Sequence, residues 1–353
     1  MIWVVGIFGL MIFIHELGHF LVAKRFGVRV TEFALGFGKK LIAFKKDETE
    51  YSLRLFPLGG YVKMVGEGEA GDPNDPGNFQ NKTALERSLI IAAGPIMNCV
   101  LAVLLLAVLG LFIGKMQGVM TNEIYKVYDN TPASQIGLLK GDIVVSINGE
   151  RIENGQMAIE LIQPNVGKTL TLLVERSGKE QTFEVLPILD PKSNKGIIGV
   201  FFKPKPTFAF PGLQAAKENI YTTFTTVATM PFIVVESLFT GKMQWKEVVE
   251  GSAGPIGIGQ FIFDSASSDA NIGYIIWIAS MLNVAIGLFN LYPIPALDGA
   301  RIVFLALGAL LPKPIDPEKE ELVHFVGFVL LILLVVAVSY NDVLRLIHGK
   351  KFF

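Results

Sequence analysis

Apolar residues gather in this chain into four long runs, 1–22, 89–113, 272–292 and 323–340, and between them the pattern turns polar or alternates. A run of about twenty apolar residues reaches across the hydrocarbon core of a bilayer, so each run predicts a transmembrane helix. A fifth stretch, 208–239, is apolar but interrupted by Lys217, Glu218, Pro231 and Glu236 and is rich in threonine. That mixture predicts a pair of amphipathic helices at the membrane interface, outside the four spans. After the first run, 40–44 and 51–55 read as short strands around a charged turn, 45–50, and predict a hairpin. The next stretch, 56–64, is apolar but too short and too glycine-rich to span. Residues 72–80, broken by Pro73 and Pro76, read as a loop.

From 115 to about 204 the chain changes regime and becomes polar and alternating. Residues 137–149 alternate like a strand and end in Asn148-Gly149, the dipeptide of a tight hairpin turn. A helix over 154–163, a strand over 168–176, a Ser177-Gly178 turn and a strand over 180–187 complete one small α+β domain. The expected organisation is therefore a membrane part at 1–114, an inserted domain at 115–204, an interfacial linker at 205–270 and a second membrane part at 271–353.

Composition agrees with a polytopic membrane protein, since 51% of the residues are hydrophobic before glycine is counted. The net charge of −1 offers no polybasic surface for nucleic acid. Lysine and arginine crowd the loop 24–87, which places that loop on the cytoplasmic side, the N-terminus outside and the inserted domain on the extracytoplasmic side. With Cys99 as its single cysteine, the chain has neither an intrachain disulfide nor a multi-thiolate metal site. Any metal must be held by carboxylates and by the four histidines, His15, His19, His324 and His348.

Two of those histidines carry the chemistry. In the first run the only ionisable side chains are His15, Glu16 and His19, an H-E-x-x-H pattern. On a helix, residues four apart lie on one face, so both imidazoles can address one Zn²⁺ while Glu16 takes a proton from the attacking water. Such groups inside an apolar helix are costly unless a metal or a water-filled cavity partners them. One ligand is missing from this count. Downstream, the second run opens with Gly94 and Asn98 one turn apart, a small residue and an amide suited to close helix packing within lipid. The third run breaks at Asn290-Leu291-Tyr292-Pro293-Ile294-Pro295-Ala296-Leu297-Asp298-Gly299, where Pro293 and Pro295 remove amide donors and end the helix.

These motifs resemble those of the site-2 protease family of intramembrane zinc metalloproteases, and more closely its RseP-type bacterial members with a PDZ domain. The likeness covers nearly the whole chain: H-E-x-x-H at His15, G-x-x-x-N at Gly94, N-x-x-P-x-x-x-D-G at Asn290, and a PDZ-like G-D-I-V-V-S-I-N-G string at Gly141. The resemblance implies Asp298 as the third zinc ligand and Asn290, with Pro293 and Pro295, beside the substrate backbone. It also makes 56–64 a membrane-reentrant β-loop, with Leu53, Leu55, Gly59 and Gly60 near the substrate. Its expected substrates are single-span, type II-like proteins of the inner membrane, such as an anti-sigma factor already trimmed by a site-1 protease, or signal-peptide remnants. The PDZ domain would add an extended peptide beside 121–127 or act as a size filter.

For Asp298 a second reading stays open, because Asp before Gly299 and an apolar run is also what a helix N-cap looks like. Counting favours the ligand: a catalytic zinc site needs three protein ligands, no cysteine serves, and the spare histidines sit near the ends of the fourth span. Two other functions compete. A metal transporter would place polar residues at several depths, which the second and fourth runs lack, and a silent PDZ scaffold would have no use for an intact H-E-x-x-H.

Overall fold

The computed structural model describes residues 2–67, 72, 74–191, 194–245, 248, 252–267, 272–311 and 317–348. Two compact units emerge, one formed by Met1–Gly114 with Pro211–Phe353 and the other by Lys115–Phe210.

In the first unit, helix α1 (Ile2–Arg25) leads into two long strands, β1 (Val30–Lys46) and β2 (Thr49–Met64). Helix α2 (Ala84–Val108) starts at a capping box, in which Thr83 accepts from the Glu86 amide while the Glu86 carboxylate accepts from the Thr83 amide. It continues as a π-helical turn, Leu109–Ile113. Bare backbone lets α2 sit close to its neighbours. A Cβ on Gly18 would lie 2.3 Å from the Ala93 carbonyl oxygen, and one on Gly287 would lie 2.6 Å from Cys99 Sγ.

The sheet differs from the short hairpin and separate loop expected. β1 bends at Gly36 (φ 87°) and Gly38 (φ 84°), and β2 bends at Gly59 (φ 148°), conformations open to glycine and strained for other residues. Each strand therefore doubles back as two segments. Residues 49–54 pair with 40–46, and Leu35 partners both Leu53 and Gly60, so the row order is 40–46, 49–54, 30–35, 60–64. Leu53 is an interior row and not the free edge that a substrate-pairing role requires. The outer row beside α1 is 60–64, and from the next row Phe33 packs edge-on against Phe13 and Phe20 of α1.

The inserted unit holds β3 (Lys115–Val127), α3 (Pro132–Gln135), β4 (Ile143–Ile147), β5 (Glu150–Arg151), α4 (Gly155–Ile162), β6 (Leu170–Arg176), β7 (Lys179–Val185), β8 (Ile188–Leu189), β9 (Gly196–Ile197) and β10 (Val200–Ala209). Its main sheet runs β10-β3-β4-β6-β7 over a core of Ile124, Leu138, Val144, Ile147, Leu172 and Phe202. The Asn148-Gly149 turn has both residues at positive φ (49° and 83°), as the hairpin reading requires. At the other end of β4 the buried Asp142 accepts from Arg176 Nε and Nη2 at 2.7 Å and from the Leu139 amide at 2.8 Å. The 121–127 edge is a correction. That segment of β3 is flanked by β10 and β4, and β10, which runs five residues past the expected boundary at 204, is the outermost strand.

Returning to the first unit, the chain forms α5 (Leu213–Phe239), α6 (Pro255–Ser267), α7 (Ile272–Asn290), α8 (Asp298–Leu310) and α9 (Pro317–Ile347). Residues 251–255 read Gly-Ser-Ala-Gly-Pro, a loop by composition, and residue 251 lies outside the described residues. Among the described residues five helices are long and apolar enough to cross a membrane: α1, α2 with its extension, α5, α7 and α9. The fifth is α5, where an interfacial pair was expected. It is one continuous helix of 27 residues that carries Pro231 inside it, and its threonines turn their hydroxyls inward: Thr222, Thr225 and Thr229 each donate at 2.7 Å to the carbonyl four residues back. The charged residues then cluster near its ends.

The insertion leaves and re-enters at one point, since the Gly212 amide donates to the Gly110 carbonyl at 2.9 Å and Asn219 Nδ2 to the Gly114 carbonyl at 3.0 Å. Excising 115–210 and joining Gly114 to Pro211 should therefore leave the helical unit folded in detergent. Circular dichroism and gel filtration of the excised protein check this, with helical content per residue expected to rise and a monodisperse peak retained.

Candidate metal centre

His15 and His19 leave α1 on one face, their rings crossing edge-to-face with centroids 4.8 Å apart. Their Nε2 atoms stand 3.2 Å from each other, and Asp298 Oδ2 stands 3.2 Å from the first and 3.6 Å from the second. Ligands at zinc–nitrogen and zinc–oxygen bond lengths in a tetrahedral site lie about 3.3 Å apart, so these three atoms have the spacing of one tetrahedral face. Among the described residues they form the one group of three or more His, Cys, Asp or Glu able to share a metal.

Hydrogen bonding on the far side of each ring agrees with a cation at the centre. His19 Nδ1 lies 2.9 Å from the Ile90 carbonyl, which can only accept, so Nδ1 carries the proton and Nε2 presents its lone pair. His15 Nδ1 lies 3.4 Å from Nδ2 of the fully buried Asn98 amide, whose Oδ1 has no hydrogen-bond partner among the described residues. Exchanging the amide oxygen and nitrogen, which preserves its shape, lets Oδ1 accept from His15 Nδ1–H and frees the second Nε2 lone pair. Two lone pairs and a carboxylate oxygen without a hydrogen-bond donor then face one point. A divalent cation relieves that repulsion, and the donor set of two imidazoles and a carboxylate suits zinc.

The second motif thus does more than pack helices. A Cβ on Gly94 would lie 2.3 Å from His19 Nε2, so only glycine leaves room for that ring, and Asn98 orients the other.

The cap reading of Asp298 does not survive. The N-cap position of α8 is Leu297, and Asp298 is the first helical residue, with its carboxylate turned to the histidines. Gly299 allows this, because a Cβ there would sit 2.3 Å from the carbonyl oxygens of both Leu291 and Tyr292. Asn290 ends α7, and Pro293 and Pro295 lie in the turn that joins it to α8. Of the sheet residues, Gly60 reaches the centre: a Cβ on it would lie 2.9 Å from Glu16 Cγ. Gly59 makes room for the Phe37 ring, while Leu53 and Leu55 lie elsewhere in β2, with exposed side chains. His348 Nδ1 is taken by the Leu344 carbonyl of its own helix at 2.6 Å. The Ile90 contact could not have been read from the residue types, because it belongs to the backbone.

The sequence profile of peptidase family M50 matches residues 3–334. The zinc metalloprotease RasP of Geobacillus kaustophilus is 31% identical over 98% of this chain and 97% of its own. The regulator of sigma-W protease RasP of Bacillus subtilis is 31% identical over 96% of this chain and 97% of its own. Part of the chain is also similar to the crystal structure of the PDZ domain of an SdrC-like protein from Listeria monocytogenes, at 23% identity and a TM-score of 0.22, covering 23% of this chain and 86% of that one.

Asp298→Asn should fold as the parent does yet hold zinc more than about 100-fold more weakly, and Asn98→Leu should lose about 10–100-fold through the misdirected His15 ring. Competition with a chelator measures both. Unchanged affinity in Asp298→Asn would remove Asp298 from the ligand set.

Proposed function

The chain belongs to peptidase family M50, and from that membership we propose how this multi-pass zinc metalloprotease meets and cuts its substrates. The observation that carries the proposal is the three-atom face made by α1 and α8, with Glu16 on the same turn of helix and the outer row of the sheet against it. His15, His19 and Asp298 would hold Zn²⁺, which when bound supplies a Lewis acid that acidifies water and polarises a peptide carbonyl.

Glu16 is the proton carrier. It takes a proton from the water as the oxygen bonds to the carbonyl carbon, and passes it to the amide nitrogen as the C–N bond breaks. Gly60, lacking a side chain, leaves the Glu16 carboxylate room beside the sheet.

A transmembrane substrate hides its carbonyls in helical hydrogen bonds and must unwind before attack. Residues 60–64 form an outer row of the sheet, paired on one side with 30–35, and an unwound segment could pair on the other. In this proposal substrate recognition falls to Gly59, Gly60 and the residues after them and not to Leu53, with Asn290 at the end of α7 holding the substrate backbone from the opposite side. In this reading the sheet re-enters the membrane, the H-E-x-x-H helix places its site near the cytoplasmic face, and the inserted unit, read as a PDZ domain, lies on the extracytoplasmic side of the inner membrane. Substrates are single-span proteins shortened by a prior site-1 cleavage, and an anti-sigma factor fits the regulator of sigma-W protease among the relatives. Signal-peptide remnants offer the same chemistry. The unit at 115–210 would admit short ectodomains and turn away long ones, with β10 as its peptide-pairing edge.

Glu16→Gln should keep its zinc and lose at least about 10²-fold in turnover of a model membrane peptide, the contribution of a positioned base. Cleavage at the parental rate would rule this mechanism out. Val62→Pro, which removes an amide from the outer row, should depress cleavage while leaving zinc affinity near the parent's. Equal turnover would deny that row a part in substrate pairing.

A further inference from the structure

Helix α9 faces outward along most of its length, and among its described residues only Gly327 and Asp342 are buried. Each marks a grip on a loop. Asp342 accepts from the amides of Gly254 at 3.2 Å and Gly257 at 2.9 Å, closing the N-terminus of α6. Gly327 seats Pro295, where a Cβ would lie 2.3 Å from the proline Cβ and 2.7 Å from its carbonyl carbon. One turn before Gly327, on the same face, the Ala296 amide donates to His324 Nδ1 at 3.1 Å. Ala296 is a non-glycine residue held at φ 77°, a left-handed conformation that side chains disfavour unless their surroundings impose it. It stands two residues before Asp298.

We propose that His324 is a positioning residue of the metal centre: by accepting the Ala296 amide, with Gly327 clearing Pro295, it holds the left-handed turn that delivers Asp298 to His15 and His19. The ring is placed for this task. It tilts against Phe304 of α8 with centroids 5.6 Å apart, so it touches both the turn and the helix that carries the ligand. Its Nε2 is shielded and finds no hydrogen-bond partner among the described residues, a cost that a residue serving only to fill space would avoid. Nδ1 must stay unprotonated to accept, which leaves the proton on Nε2. The last span thereby becomes part of the metal centre without supplying a ligand, and the turn is fastened through one acceptor and one missing methyl group.

The inference rests on Asp298 as a ligand, so the full-length protein in detergent is tested with Asp298→Asn alongside. His324→Leu removes the acceptor, His324→Asn keeps one near the Nδ1 position, and Gly327→Ala pushes on Pro295. Zinc affinity by chelator competition and the visible spectrum of the cobalt-substituted protein are read for each. His324→Leu and Gly327→Ala should each weaken zinc by about 10–100-fold and shift the cobalt bands, while His324→Asn stays within a few-fold of the parent. If His324→Leu does not fold, His324→Gln replaces it, keeping polarity but moving the acceptor by one methylene. Weaker zinc in the glutamine than in the asparagine variant supports the proposal, and equality overturns it. Parental affinity and spectrum in both His324→Leu and Gly327→Ala also overturn it, whereas parental affinity in Asp298→Asn would overturn the ligand assignment beneath it.

Discussion

The site depends on α1 and α2 approaching until backbone meets side chain. At Gly18 and Gly94 there is no Cβ, and each missing methyl group would otherwise occupy space held by the Ala93 carbonyl or the His19 ring. Close approach brings the Ile90 carbonyl and the Asn98 amide within reach of the two imidazoles, which turns both Nε2 atoms toward Asp298. In an apolar medium the approach cannot be driven by hiding greasy surface from water, because lipid is as greasy as the helix. Dispersion along a tight seam and hydrogen bonds without water as a competitor supply the stabilisation instead, and both fall off steeply with distance. Gly18 on α1 and Gly94 on α2 therefore decide whether the two imidazoles and the Asp298 carboxylate converge.

The same scarcity of water explains how polar groups are disposed elsewhere in the helical unit. Threonines of α5 return their hydroxyls to their own helix, Asn219 donates to the buried Gly114 carbonyl, and Asp342 crosses from α9 to cap α6. Pairing these groups inside the protein avoids the several kcal/mol that an unpaired one costs in hydrocarbon. Among the described residues the buried atoms left without a hydrogen-bond partner include Asp298 Oδ2, Asn98 Oδ1 and His324 Nε2, at or next to the metal centre, together with Arg54 Nε, Arg87 Nε, Gln260 Oε1 and Asn283 Oδ1.

The broken third run serves the same end from the other side. Pro293 and Pro295 end α7 and force a turn, Ala296 takes a left-handed conformation within it, and Asp298 starts α8 with its carboxylate turned to the two histidines. A continuous helix through this region would carry Asp298 past the site, since each residue advances a helix by about 1.5 Å. The sheet answers a related problem. Its glycine bends fold two strands into four rows, so that one outer row comes to lie against Glu16.

What the chain determined locally could be read from the chain. Hydrophobic run length predicted the helices now numbered α1, α2, α7 and α9, the four-residue spacing placed His15 and His19 on one face, and Asn148-Gly149 turned as its dipeptide requires. These features follow from periodicity and steric preference within a few residues. Other features were settled by partners distant in sequence. Composition alone cannot say that Leu53 would be flanked on both sides, that β10 and not β3 would be outermost in the inserted unit, or that α5 would satisfy its threonines and run unbroken. Gly94 and Asn98 looked like packing until the His19 and His15 rings occupied the space beside them, and His324 looked idle until a turn 28 residues earlier presented it with an amide. A residue's type states which bonds it is able to make, but the tertiary structure chooses the partner, because hydrogen bonds and close contacts act over a few ångströms and only folding brings distant segments within that range.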